Sequence, residues 1–186
     1  MLTGRPVRLA FAIASSGPTI AVREQILYDW EHTLRDCGHD DEEIRQALAL
    51  TRELHRAAAD GVAFDLVSSQ LLEPASHQPW YGSYSTIGDA DDWQHAKLLI
   101  GEPFQPVLAL GRVDCPFLAV YGGLDRLLPP WRGAQDAGQA LAEAGTPDAT
   151  VVVFPNGDHR IQTTRTGDFV DGYLALLGDW TSRRVG

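Results

Sequence analysis

A parallel α/β sheet with flanking helices, carrying a mainly helical cap insertion, is the fold class this sequence predicts. Three observations carry it. The runs 7–15, 117–121 and 150–154 are short, nearly continuous in apolar residues, and stop at glycine or proline; such two-sided apolar runs are the pattern of buried parallel strands. Helix-length segments follow the second and third of them, at about 131–144 and 169–181, and that alternation argues for parallel pairing with right-handed crossovers. The long interval between the first and second runs has helical periodicity and then loses it, as expected of an insertion outside the sheet.

Taken in order, residues 7–15 read as the first core strand. Arg5 and Arg8 ahead of the apolar run 9–14 imitate a signal peptide. However, the run is shorter than the roughly 7–15 residues of a leader's apolar core, and the Ser15-Ser16-Gly17-Pro18 turn suits a strand end. From 21 to 37, Val22, Ile26, Leu27, Trp30 and Leu34 recur at helical spacing, and Gly38 follows as a C-cap. Asp40 with Glu43 has the capping-box pattern and opens a second helix to about residue 60. Its apolar face is Ile44, Ala47, Leu48, Leu54 and Ala58. The acidic cluster 40–43 suits the positive end of a helix dipole. Gly61 breaks the helix, and a short third one is expected at 64–72. Between 73 and 113, Pro74, Pro79, Pro103 and Pro106 interrupt the pattern, and only a short helix at 91–99 is expected. The expected organisation is one domain: core strand 7–15, cap about 21–113, and an α/β core over 114–186.

Composition narrows the function. At 186 residues the chain can bury a sizeable core, and 44% hydrophobic with 22% charged residues is ordinary for a globular protein. A net charge of −10 without a basic stripe argues against nucleic acid or an anionic membrane surface as partner. No stretch is long enough to span a bilayer, and a cytoplasmic protein is expected. Cys37 and Cys115 form no C-x-x-C pair, which argues against a zinc site or redox motif; two free buried thiols are expected, with a disulfide as the alternative. No cofactor and no metal are expected. Asp91, Asp92 and His95 could share a helix face around a metal, but a solvated helix start accounts for them as well. Trp80, Tyr81 and Trp93 either line an acyl pocket or pack the cap.

The chemistry-bearing residues are Asp125 and His159. Asp125 follows Gly122-Gly123 directly after the strand at 117–121, and His159 follows the strand at 150–154 in Asn156-Gly157-Asp158-His159. In a parallel sheet both sit at carboxyl ends of neighbouring strands, where functional side chains collect. Alone, Asp125 reads as an Asx-turn residue and His159 as a solvated loop histidine. Together they read as an acid that orients an imidazole for base and acid catalysis.

These residues resemble the C-terminal catalytic part of the α/β-hydrolase fold, in its dienelactone-hydrolase and prolyl-oligopeptidase-like branch. The resemblance lies in the run from Pro116 to Asp125, in Leu127-Leu128-Pro129-Pro130, and in Phe154-Pro155-Asn156-Gly157-Asp158-His159. It extends to the run from Leu9 to Pro18, which is similar to the strand after the nucleophile-bearing helix. It implies a serine hydrolase of ester, thioester or peptide bonds in which Asp125 and His159 serve an acyl-serine, with residues 21–72 as cap. It also implies a nucleophile elbow that precedes the acid, hence ahead of Met1. No Gly-x-Ser-x-Gly occurs in the sequence. Internal substitutes are Ser15 and Ser16 before Gly17, and Ser83 and Ser85 in Gly82-Ser83-Tyr84-Ser85. Cys37 at a helix C-terminus and Cys115 ahead of its strand are weaker, and Ser16 and Ser85 stand first among these. Two functions therefore remain open. One is a hydrolase whose serine comes from another segment, acting on a small-molecule or peptide acyl substrate. The other is a non-catalytic module whose edge around residues 5–20 pairs with a second copy or with a complementing N-terminal segment.

Overall fold

Three apolar runs form one parallel sheet: β1 (Ala12–Ser15), β2 (Phe117–Gly122) and β3 (Ala149–Phe154), lying in that order. The helices are α1 (Val22–Asp36), α2 (Asp41–Ala59), α3 (Phe64–Val67), α4 (Glu73–Ala75), α5 (Ala90–Gly101), α6 (Pro106–Leu110), α7 (Pro130–Glu143) and α8 (Tyr173–Ser182). A π turn (Ser68–Leu72) joins α3 to α4, and a 3₁₀ turn spans Tyr81–Ser83. The computed structural model describes residues 9–83, 87–101 and 104–185. The chain divides into two units, one of the residues up to Ile20 with those from Gln105, the other Ala21–Phe104.

In the sheet unit, β2 is central and all six of its residues are buried. Phe117, Ala119 and Tyr121 pack against Ala137 and Leu141 of α7, while Leu118 and Val120 pack on the other face with Ile161, Tyr173 and Trp180. A strand covered on both faces has no polar face to show, which is why it reads as one apolar run. Burial pushes the Tyr121 phenol up to about 12, and the neighbouring Asp136 carboxylate adds to the shift. The register sets Ser15 beside Val120 and Gly122 beside Phe154.

Two sequence-predicted boundaries need correction. The first strand begins at Ala12 rather than at residue 7; residues 7 and 8 lie outside the described residues, and 9–11 are not strand. Its first ladder bond runs from the Ala12 N–H to the Pro116 carbonyl at 2.9 Å. Proline has no N–H to return, so pairing stops there. The last helix begins at Tyr173, not 169, because Phe169 bridges to Gln162 and Gly172 turns at φ 85°.

The other unit is helical. Gly38 at φ 86° and Gly61 at φ 69° end α1 and α2 in the left-handed conformation that glycine adopts freely. The capping box is formed: the Glu42 and Glu43 N–H groups donate to Asp40 Oδ1 at 2.9 Å, and the Asp40 N–H donates to Glu43 Oε2 at 3.2 Å. Trp80 and Trp93 lie in the core with Leu34, Ile44 and Ala47. Trp93 Nε1 donates to the Val62 carbonyl at 2.7 Å, and Trp80 Nε1 to Gln46 Oε1 at 3.3 Å. Both indoles therefore pack this unit. Cys115 is buried but Cys37, at the C-cap of α1, is exposed, correcting the expectation of two buried thiols. Among the described residues no helix is long and apolar enough to cross a membrane.

His55 gives this unit a pH response. It is buried on α2, and its Nε2 has no hydrogen-bond partner among the described residues. Burial lowers its pKa to about 4, and the Arg23 and Arg52 charges act the same way. The unfolded chain takes up a proton near pH 6.5 that the folded chain refuses. Stability is therefore expected to fall as pH drops from about 6.5 toward about 4, by on the order of 2 kcal/mol. Urea unfolding at several pH values should show a flatter acid limb for His55→Leu; parallel limbs for the two proteins would assign the effect to other groups.

Candidate active site

The site is built by two turns at the carboxyl ends of β2 and β3. β2 leaves the sheet through Gly122 and Gly123, and lack of room explains both glycines. A Cβ on Gly122 would overlap the Asp158 carbonyl oxygen and stand 2.5 Å from that of Gly157; one on Gly123 would stand 2.8 Å from Pro155 Cα. The turns are bonded directly to each other: the Gly123 N–H donates to the Phe154 carbonyl at 2.7 Å, and the Leu124 N–H to that of Gly157 at 2.8 Å.

Asp125 follows with its side chain fully buried. Its Oδ1 accepts from the N–H groups of Leu127 at 2.8 Å and Leu128 at 3.1 Å, while Oδ2 lies 2.8 Å from His159 Nδ1. The Asx turn and the acid–histidine pair are thus two uses of one carboxylate, one for each oxygen.

The histidine loop has its own brace. Asp158 Oδ1 accepts from the N–H groups of Arg160 at 2.8 Å and Gln162 at 2.9 Å. Ile161 is fully buried at φ 59°, held by the Val170 N–H on its carbonyl at 2.9 Å. A branched residue in that conformation costs on the order of 1–3 kcal/mol and persists where the surroundings fix it. Here they fix the loop that carries His159. Sequence reasoning missed both features, although an aspartate directly before a candidate histidine was a signal for the brace.

The arrangement has defined chemistry. A carboxylate only accepts, so Nδ1 carries the proton and Nε2 keeps its lone pair. Nε2 has no hydrogen-bond partner among the described residues, and the His159 side chain is 37% exposed. A proton acceptor oriented by a buried acid is thereby open to an incoming hydroxyl or water.

Other candidates fall elsewhere. Ser16 follows β1 at φ 49°, 4% exposed, with its N–H on the Val120 carbonyl at 2.7 Å. Among the described residues its Oγ is buried without a partner, and no hydrogen bond joins it to His159. Ser15 Oγ accepts from the Tyr173 hydroxyl at 3.2 Å. Ser85 lies outside the described residues. Ser83, in the helical unit, bonds to His39. Asp91 and Asp92 stand at the start of α5, their N–H groups capped by Asp89 Oδ1 at 2.9 Å. Among the described residues no group of three or more His, Cys, Asp or Glu is placed to hold a metal.

Compared with family models, curated proteins and solved structures, the chain has no match.

Proposed function

We propose that this protein is an α/β-hydrolase-like enzyme in which Asp125 and His159 form the acid–base part of a Ser-His-Asp relay. The bond cleaved is an ester, thioester or peptide bond of a small-molecule or peptide acyl substrate. One observation carries the proposal: the buried Asp125 carboxylate holds His159 Nδ1 at 2.8 Å and leaves Nε2 open at the carboxyl edge of a parallel sheet. That edge and that strand order are where an α/β-hydrolase carries its acid and histidine. In this reading the nucleophilic serine and the oxyanion donors come from a segment that adds to β1, which among the described residues pairs only with β2. The serine gives its proton to Nε2 as it attacks the carbonyl carbon, and the imidazolium, held by Asp125, returns it to the leaving group.

The acid–base pair can be tested without that serine, because Nε2 can also activate water. Steady-state hydrolysis of p-nitrophenyl acetate should exceed the buffer rate. His159→Gln should lower that excess at least about tenfold, within the usual range for a general base, at an unchanged melting temperature. Equal rates would reduce the pair to a fastener between two turns.

A second reading, a non-catalytic assembly module, is favoured by the β1 edge itself. Ala12–Ser15 alternates between half-buried and exposed, with Ile13 37% exposed, and an unpaired edge is a template for another strand. It requires a homodimer in light scattering that Ile13→Lys dissociates. A monomer throughout would remove it and leave the first reading intact.

A further inference from the structure

The helical unit contains a second serine–histidine–carboxylate chain. His39 stands directly ahead of Asp40, the N-cap of α2. Its Nδ1 lies 3.0 Å from Glu43 Oε2 and its Nε2 3.0 Å from Ser83 Oγ. Glu43 is held in turn, because the same Oε2 accepts the Asp40 N–H in the capping box. The carboxylate cannot swing away without loosening the first turn of α2.

The hydrogen-bond roles follow from the donors available. Glu43 only accepts, so the imidazole proton sits on Nδ1. Nε2 then presents a lone pair, and Ser83 must be the donor. A hydroxyl donating to an imidazole whose far nitrogen is fixed by a carboxylate is the arrangement of an activated nucleophile. Exposure fits as well: the side chains of His39 and Glu43 are 13% and 27% exposed, and Ser83 is half-buried. The base is largely screened from water while the hydroxyl stays within reach of a reagent. His159 has the acid but no serine bonded to it among the described residues; His39 has both.

We propose that Ser83 is a nucleophile toward small neutral acyl and organophosphorus esters, with His39 as its general base and Glu43 orienting the imidazole. The size limit is inferred from a hollow that Ser83 itself does not line but its turn neighbour Tyr81 does. Tyr81, in the same 3₁₀ turn, lines a hollow of about 210 Å³ with Phe64, Leu72 and Ile87. That is below the roughly 300–1,000 Å³ of sites for drug-sized ligands, so it suits a short acyl chain. Glu73 on the same wall disfavours an anionic one. With an aryl ester, Ser83 Oγ bonds to the acyl carbon, the carbon–oxygen bond to the aryl group breaks, and the phenolate leaves. With a fluorophosphonate, Oγ bonds to phosphorus and fluoride leaves. In both reactions the Oγ proton passes to His39 Nε2.

The test is to treat the full chain with a fluorophosphonate probe and map the adduct by peptide mass spectrometry. A single adduct on Ser83 is expected. Its rate of formation should fall about 10²-fold in His39→Gln and less in Glu43→Gln, with folding followed by circular dichroism. Ser83→Cys gives an independent readout: iodoacetamide should alkylate the new thiol faster than the exposed Cys37, and His39→Gln should remove the difference. An equal labelling rate in His39→Gln would overturn the assignment of the base. No adduct at Ser83, together with a Ser83→Cys thiol no faster than Cys37, would overturn the site and leave the three side chains as a clamp. Steady-state hydrolysis, with and without His159→Gln, is read in a Ser83→Ala background, and labelling is read in His39→Gln, so this proposal and the Asp125–His159 reading can each fail alone.

Discussion

Gly122→Ala is expected to destabilise the sheet unit by about 3 kcal/mol or more, an unusual cost for one methyl group. The added carbon would overlap the Asp158 carbonyl oxygen and crowd that of Gly157. Those are backbone atoms, so no side chain can rotate away. Overpacking typically costs about 1–3 kcal/mol where neighbours can shift. Here the neighbour that must shift is the loop braced by Asp158 and tied by the Leu124 N–H to the Gly157 carbonyl. The loop should be displaced with His159 on it, so the substitution should lower the melting temperature by roughly 10 °C and abolish His159-dependent hydrolysis together. Wild-type melting would mean that the two turns are not packed as described.

Asp125→Ala is the second large effect, and Asp125→Asn separates its two causes. Alanine removes the acceptor for Leu127, Leu128 and His159 at once. An orphaned buried donor costs about 1–3 kcal/mol. Leu128 is buried, whereas Leu127 is exposed and His159 can rehydrate, so a loss of about 2 kcal/mol is expected. Asparagine keeps an acceptor for the two amides, but turns an N–H₂ group toward His159 Nδ1. That imposes the other tautomer and leaves Nε2 protonated and unable to act as a base. Near-wild-type stability with hydrolysis as low as in His159→Gln is expected. Nitrogen-edited NMR of the imidazole reads the tautomer directly; unchanged hydrolysis in Asp125→Asn would show that the carboxylate does not orient the base.

The sheet and its acid–histidine pair were legible because each rests on short-range signals repeated in chain order. Residues 117–121 and 151–154 are continuous apolar runs, and an acid and then a histidine follow the strand ends. Parallel pairing puts neighbouring strand ends side by side, so order in the sequence became proximity in space. The start of β1 was not legible, since Pro116 on the partner strand sets it. Neither was the left-handed Ile161, a conformation its residue type disfavours and only packing imposes. The bond between His39 and Ser83 crosses 44 residues with no periodic pattern linking its ends. The sequence supplied Gly82-Ser83-Tyr84-Ser85 as a candidate motif, but only the fold brings an imidazole to it.

The order in which the sheet can assemble follows from where its strands lie along the chain. β2, α7 and β3 are consecutive, and their pairing closes a loop of a few dozen residues. β1 pairs with β2 across about a hundred residues. Two doublings of loop length add only about 1 kcal/mol of closure entropy, so the long insertion is a small burden on equilibrium stability. The burden is kinetic, since contacts distant in sequence are slow to form. α1, α2 and α5 have their own hydrophobic core. If that core condenses early, it shortens the free chain between β1 and β2, and the edge strand docks last onto a ladder already made.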